Sequence, residues 1–165
     1  MKAICVLTNN NPGITGHIVF SETKNRKLKV SIDIKGLSPG KHGIHIHNKG
    51  NLLNGCESLC SHFNPYNTEH GDRLATISKR HVGDLGNIIA NKNGIAKYEF
   101  TDNYIKLYGK CNIIGRSVVI HEKEDDLGKG GITQNKKITD IKIYTESKKT
   151  GNAGKRIACG VIGWY

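Results

Sequence analysis

Six histidines and one aspartate, His45, His47, His62, His70, His81, His121 and Asp84, are spaced so that they can build two neighbouring metal sites with one ligand in common. Imidazole nitrogen suits borderline metals such as copper and zinc, and the chain holds eight histidines in all. In Gly43-Ile44-His45-Ile46-His47 the two histidines stand two apart on an expected strand, so both project from one face with Cα atoms ~6.6 Å apart. That separation lets two imidazoles clasp one ion. His121, at the end of Ser117-Val118-Val119-Ile120-His121, and His62, in His62-Phe63-Asn64-Pro65, complete a set of nitrogens suited to copper(II) in square-planar or tetragonal surroundings. His62 again, with His70, His81 and Asp84, has the composition of a closed tetrahedral zinc site. Taken singly, His70 and Asp84 read as ordinary loop residues; the grouping gives them chemistry.

The elements that must position these side chains are short strands. Leu28, Val30, Ile32 and Ile34 alternate with Lys29, Ser31, Asp33 and Lys35, the pattern of a half-buried antiparallel strand. Similar runs occupy residues 3–9, 14–22, 43–47, 85–90, 95–101, 104–109, 113–121 and 157–163, separated by turn signals at Asn11-Pro12-Gly13, Ser38-Pro39-Gly40 and Asn93-Gly94. This spacing predicts an antiparallel sandwich or barrel. Segments 48–84 and 122–156 show neither helical nor strand periodicity, and they contain or border nearly every ligand candidate, which marks them as functional loops.

With 165 residues, 36% of them hydrophobic, the chain is expected to form one domain over residues 1–165. It contains 20 glycines and few aromatics, a composition that favours strands and turns over a helical bundle. No apolar run approaches the ~18 residues of a membrane span, and Met1–Leu7 turns polar too soon for a secretory leader. A soluble, cytoplasmic protein is therefore expected. The formal charge of +11 favours anions of any kind without selecting one. Five cysteines leave at least one unpaired; Cys5 and Cys111, on expected strands, read as buried inert thiols.

The ordered set His42-Gly43-Ile44-His45-Ile46-His47, Gly55-Cys56, His62-Phe63-Asn64-Pro65, His70-Gly71, Arg80-His81-Val82-Gly83-Asp84-Leu85-Gly86-Asn87, Ile113-Ile114-Gly115-Arg116, His121-Glu122-Lys123, Asp125 through Gly131, and Lys149-Thr150-Gly151-Asn152-Ala153-Gly154 through Arg156 and Cys159-Gly160-Val161-Ile162-Gly163 resembles copper/zinc superoxide dismutase. These motifs run from the first strands to the last. The resemblance implies an all-β fold, an eight-stranded antiparallel Greek-key barrel or sandwich of immunoglobulin-like type with two long functional loops. It implies superoxide as substrate and copper and zinc as cofactors, with copper on His45, His47, His62 and His121 and zinc on His62, His70, His81 and Asp84. His62 would be a bridging imidazolate and proton donor, and Asp125 a carboxylate linking a ligand histidine of each metal. Arg156 would dock the anion beside copper, Thr150 narrow the channel, and Lys149, Lys123 and Glu146 shape the attracting field. A disulfide between Cys56 and Cys159 would close a loop of about one hundred residues, worth ~4.7 kcal/mol by chain entropy. A homodimer is implied, packed through the final strand and Ile113-Ile114-Gly115 with Trp164 near its edge, and a copper chaperone is a possible partner.

Three features depart from the family pattern. Residues 132–145 form an insertion in the charged loop, whose Ile138, Ile141 and Ile143 are expected to cover a surface or form a flap over the site. The interval from His70 to His81 is slightly long. Cys60 is an extra cysteine near Cys56, able to compete for Cys159, with a free thiol as its expected state. One alternative function is a non-catalytic metal buffer or decoy of the same fold. A nucleic-acid-binding zinc finger is excluded by the spacing of Cys56, Cys60, His62 and His70, so no specific nucleic acid partner is expected.

Overall fold

A computed structural model describes residues 1–7 and 12–165. Eight strands follow in chain order: β1 (Lys2–Val6), β2 (Thr15–Glu22), β3 (Leu28–Lys35), β4 (Gly40–His47), β5 (Asp84–Ala90), β6 (Ala96–Asp102), β7 (Ser117–His121) and β8 (Arg156–Trp164), with one helix, α1 (Ile141–Thr150), before the last strand. These strands pair antiparallel throughout, in the order β5-β4-β7-β8-β1-β2-β3-β6. The end strands β5 and β6 lie against each other, which closes the ladder into a barrel. Consecutive strands β3 and β4, and likewise β6 and β7, are not neighbours, so their connections cross the barrel as a Greek key requires. The core is filled by inward residues of every strand, among them Ile18, Phe20, Val30, Ile34, Ile44, Ile46, Ile88, Val118 and Ile162.

β3 shows the expected alternation of buried and more exposed positions. β4 and β7 do not: residues 42–47 and all of β7 are buried on both faces. Ile44 and Ile46 face the core, while the histidine face of β4 is roofed by the long loops. A pair of histidines that would decorate a solvated strand is thereby placed in a dry interior.

The expected strand at 104–109 is not formed. Asp102 Oδ1 accepts the N–H groups of Tyr104 (2.7 Å) and Ile105 (3.0 Å), so the chain turns back directly after β6. Ile105 and Leu107 still enter the core. The run expected from 113 becomes a strand only at Ser117, and that expected over 3–9 closes at Val6; Thr8, Asn9 and Asn11 of the predicted strand end and turn lie outside the described residues.

Segment 122–156, expected to lack periodicity, contains α1. Asp140 caps its start by accepting from Lys142 N (2.9 Å) and Ile143 N (3.0 Å), and Gly151, with φ of 71°, ends it. Gly151 has a second reason to be glycine: a Cβ there would collide with Asp125 Oδ1 and His70 Nε2. In the insertion, Ile138, Ile141 and Ile143 remain 45–61% exposed, so they cover no surface.

Candidate metal centre

Seven of the eight histidines are buried; His17 alone lies outside this group. His45 and His47 come from β4 and His121 from the end of β7. β-bulges at Gly43/His45 and Ile120/His121 alter the ladder at these positions, a device that re-aims a side chain without ending the sheet. His62 is carried in from the long loop, where an isolated bridge pairs it with His47. His70, His81 and Asp84 follow along the same loop and the first residue of β5.

Hydrogen bonds fix each ring by the nitrogen that does not face inward. His47 Nδ1–H donates to the Cys60 carbonyl (2.7 Å), His121 Nδ1–H to the Gly154 carbonyl (3.1 Å), and His45 Nε2–H to Asp125 Oδ2 (2.8 Å). This leaves His45 Nδ1, His47 Nε2, His62 Nε2 and His121 Nε2 buried and without a hydrogen-bond partner among the described residues. Such an orphaned atom costs roughly 1–3 kcal/mol, and four from one cluster require a common partner. The ligand atoms of these four histidines lie within 4.8 Å of one another. Burial, first of all, pushes the basicity of His45, His47, His62 and His121 down, the last to about 4, so their nitrogen lone pairs are free near neutrality.

The second group is organised around one oxygen. Asp84 Oδ1 lies 2.9 Å from His62 Nδ1, 3.0 Å from His70 Nδ1 and 3.1 Å from His81 Nδ1, and the Nδ1 atoms of His62 and His81 are 3.4 Å apart. A tetrahedron of ligands about 2.0–2.1 Å from a zinc ion has edges of about 3.3 Å, close to these separations. His70 donates Nε2–H to Asp125 Oδ1 (2.7 Å), yet its Nδ1 has no hydrogen bond although a carboxylate oxygen is 3.0 Å away. A neutral ring would face that oxygen lone pair to lone pair, so a cation belongs between them. In the metal-free chain a proton takes that role: burial opposes a charged His70 ring, but Asp125 and Asp84 outweigh it and hold its pKa up at about 10. Asp84 shows the converse. Burial raises its pKa, and the three surrounding imidazoles outweigh this and keep the carboxyl well below the usual carboxylate range. His45 also falls within reach of His62, His70 and Asp84, but its Nε2 is committed to Asp125, and His81 is the ring that closes the group on Asp84. Both groups thus fit bound metal ions, and His62 belongs to both, with Nδ1 on Asp84 and Nε2 toward the other three histidines.

Over the four-histidine group opens a cleft of ≈ 430 Å³ with His47, His62 and His121 at its base and Arg156, Lys149, Thr150 and Glu146 on its walls. The last three ride on α1, so the charged loop frames the cleft and does not seal it. Lys123, expected to help attract substrate, is not part of this lining; its side chain lies against Gly154. Arg156 is held by backbone carbonyls, with Nη1 donating to Cys56 (2.7 Å) and Nη2 to Cys60 (2.7 Å). The Cys56 residue is itself tied to β8 by its disulfide with Cys159, the two Cα atoms 5.8 Å apart. Cys60 carries a free, exposed thiol. Cys5 is buried, which pushes its thiol pKa up to about 12 and keeps it inert near neutrality.

Sequence reasoning missed Ser61, Asn152 and Gly154 in the cleft, whose residue types carry no chemical signal by themselves. It also missed Asp102, which neutralises the fully buried Arg80 at 2.8 Å; a lone aspartate at a strand end looks like any turn residue.

The family model for copper/zinc superoxide dismutase (SODC) matches residues 14–162. The superoxide dismutase [Cu-Zn] of Paramecium bursaria Chlorella virus 1 is 54% identical over 99% of this chain and 79% of its own length. The extracellular superoxide dismutase [Cu-Zn] of Brugia pahangi is 49% identical over 97% of this chain and 74% of its own, and superoxide dismutase [Cu-Zn] A of Xenopus laevis is 46% identical over 99% and 98%. Among solved structures, the crystal structure of the clock protein EA4 superposes with a TM-score of 0.87 at 44% identity, covering 99% of this chain and 94% of that one. The chain therefore belongs to the copper/zinc superoxide dismutase family, an oxidoreductase that takes copper and zinc as cofactors and disproportionates superoxide to oxygen and hydrogen peroxide.

Proposed function

We propose that copper is held by His45, His47, His62 and His121 and zinc by His62, His70, His81 and Asp84, with His62 the shared ring. The observation that carries this reading is the double commitment of His62: Nδ1 lies 2.9 Å from Asp84 Oδ1, while its buried Nε2 is unpartnered. Asp125 then links the two halves, accepting from His45 and His70 with one oxygen each. Copper, when bound, supplies the one-electron redox couple.

The remaining work falls to the chain. A cleft of ≈ 430 Å³ is many times the ~30 Å³ of a water-sized molecule, so size alone does not select the substrate. Selection is by charge: the Arg156 guanidinium, fixed by the Cys56 and Cys60 carbonyls, docks a small anion above the histidines and keeps its charge at any physiological pH. Thr150, hydrogen-bonded to Glu146 Oε1 (2.6 Å), narrows the passage, and Lys149 draws anions in against the opposing charge of Glu146. Lys123 contributes to the same field from outside the cleft wall. His62 Nε2 would serve the metal and a proton in turn, holding the proton only when it is not a ligand and giving it to the reduced product.

The protein is a homodimer in this reading. Its support is the exposed apolar set of Val6, Leu52, Leu53, Trp164 and Tyr165 on and near the paired strands β1 and β8. A cytoplasmic location is supported by three unpaired cysteines, one of them exposed, which suit a reducing compartment better than an oxidising one.

The test is metal analysis beside superoxide consumption. Holoprotein should carry copper and zinc in equal amounts, and its kcat/KM should fall as ionic strength rises, because screening shortens the reach of attraction, an effect for which this family is a standard example. Holoprotein with both metals but no superoxide consumption would overturn the catalytic assignment; a flat salt profile would overturn the role of Lys149 and Lys123.

A further inference from the structure

Arg80 is the largest fully buried side chain among the described residues, and the reaction does not use it. Its guanidinium is shared between the barrel and the loop that carries His70 and His81. On the barrel side Nη1 donates to Asp102 Oδ2 (2.8 Å), at the end of β6, and Asp102 is locked in place because its other oxygen accepts two backbone N–H groups. On the loop side the same guanidinium satisfies three carbonyls: Nε donates to His81 (3.0 Å), Nη1 to Arg73 (2.5 Å) and Nη2 to Val82 (3.1 Å). The peptide groups on either side of Val82 are thus held by one rigid, planar donor.

We infer that Arg80 is a positioning residue for the zinc site, setting the backbone of His81 so that its Nδ1 reaches Asp84. The inference rests on the metal assignment above. Three further contacts support it. Thr68 Oγ1–H donates to the Arg80 carbonyl (2.6 Å), and Asp84 Oδ2 accepts from His81 N (2.7 Å) and Gly71 N (3.1 Å), so the loop is drawn around this point from both ends. No helix or sheet ladder does this between Pro65 and Arg80; the only regular element there is the short 3₁₀ turn Ile77–Lys79. A lysine cannot replace the fork, because one ammonium cannot present donors to three carbonyls and a carboxylate in those directions. Burial of the charge is tolerated because its donors meet three carbonyls and Asp102 balances it, with the Tyr104 ring 5.4 Å from the guanidinium carbon.

The experiment compares wild type, Arg80→Lys and the double variant Arg80→Met/Asp102→Leu, which removes both buried charges and leaves neither unpaired. Zinc affinity is measured by chelator competition on folded protein, and the cobalt(II) absorption of the zinc site reports its geometry independently of stability. Both variants should bind zinc roughly 10–100-fold more weakly than wild type, as loss of a partner that orients a metal ligand does elsewhere, and the double variant should do so even where its melting temperature equals that of wild type. Its cobalt spectrum should lose tetrahedral intensity. Wild-type zinc affinity and an unchanged cobalt spectrum in the folded double variant would overturn the inference and leave Arg80 a packing element. Failure of wild type itself to bind zinc would instead overturn the metal assignment.

Discussion

Three of the four histidines in the proposed copper group ride on strands, His45 and His47 on β4 and His121 on β7, whereas His62, His70 and His81 come from a segment with two short 3₁₀ turns and little other regular structure. The strand-borne rings inherit their positions from the barrel ladder, and each needs only one hydrogen bond to choose its tautomer. The loop-borne rings have no such frame. They are held by carboxylates and a guanidinium: Asp84 at their centre, Asp125 behind His70, and Arg80 beneath His81. Regular secondary structure provides precision on one side of His62, and buried charge provides it on the other.

The disulfide tests this contrast with the largest effect. It joins residues 103 apart in sequence, and the chain-entropy model assigns a loop of that size ~4.7 kcal/mol. Cys159→Ser should lower unfolding free energy by about 2–5 kcal/mol in denaturant titration. It should also lower kcat/KM more than copper affinity, since the Cys56 and Cys60 carbonyls hold Arg156 while His45 and His121 remain on strands. Equal losses of affinity and turnover would show that the strands do not hold their ligands independently.

Next in size is Asp84→Asn, which keeps acceptors for Gly71 N and His81 N but removes the charge at the centre of the loop-borne group. Sharing about 12 kcal/mol of structural zinc binding among four ligands gives about 3 kcal/mol, or roughly a hundred-fold loss of zinc affinity, by chelator competition. Copper retention should change far less. The native acid limb follows from the same residue. Its folded pKa is depressed below the unfolded value, so its stabilising contribution is present above about pH 4 and is lost as pH falls through the folded pKa. Acid titration of metal-free wild type and Asp84→Asn should therefore differ above that point and converge below it.

The same division decided what was legible in the sequence. Period-two alternation exposed β3, and His-x-His spacing exposed one clasp on β4, because strand geometry converts sequence distance directly into direction. No such rule connects His70 to His81 or Asp125 to His45. The donor types, three histidines and a carboxylate, suggested the first grouping and the family motifs implied the second, and only the folded loop shows that Asp84 Oδ1 meets three rings. The expected strand at 104–109 shows the limit from the other side: Ile105 and Leu107 enter the core, but a side-chain carboxylate at Asp102 took the backbone N–H groups a ladder would have used. Helix α1 was hidden because its inward residues are Ser147 and partly buried Tyr144 and Lys148, while its isoleucines face out. Asp140 and Gly151 were the two signals that bounded it.

That helix provides the smallest and most discriminating prediction. Its C-terminal half, which carries Glu146, Lys149 and Thr150 to the cleft, is docked by polar bonds: His70 N–H donates to the Lys148 carbonyl (2.8 Å), and Ser147 Oγ–H to Asp126 Oδ1 (2.6 Å). Its N-terminal turn depends on the Asp140 cap. Asp140→Ala should cost about 1 kcal/mol, seen as faster amide exchange at Lys142 and Ile143, while kcat/KM changes by less than about twofold because the docked end stays in place. A tenfold fall in kcat/KM would mean that the insertion positions the cleft wall through the start of the helix, and that the loop-borne half of the site extends to the inserted residues. An unchanged kcat/KM with faster exchange would confine the loop's precision to the buried carboxylates Asp84 and Asp125 and the groups that touch them.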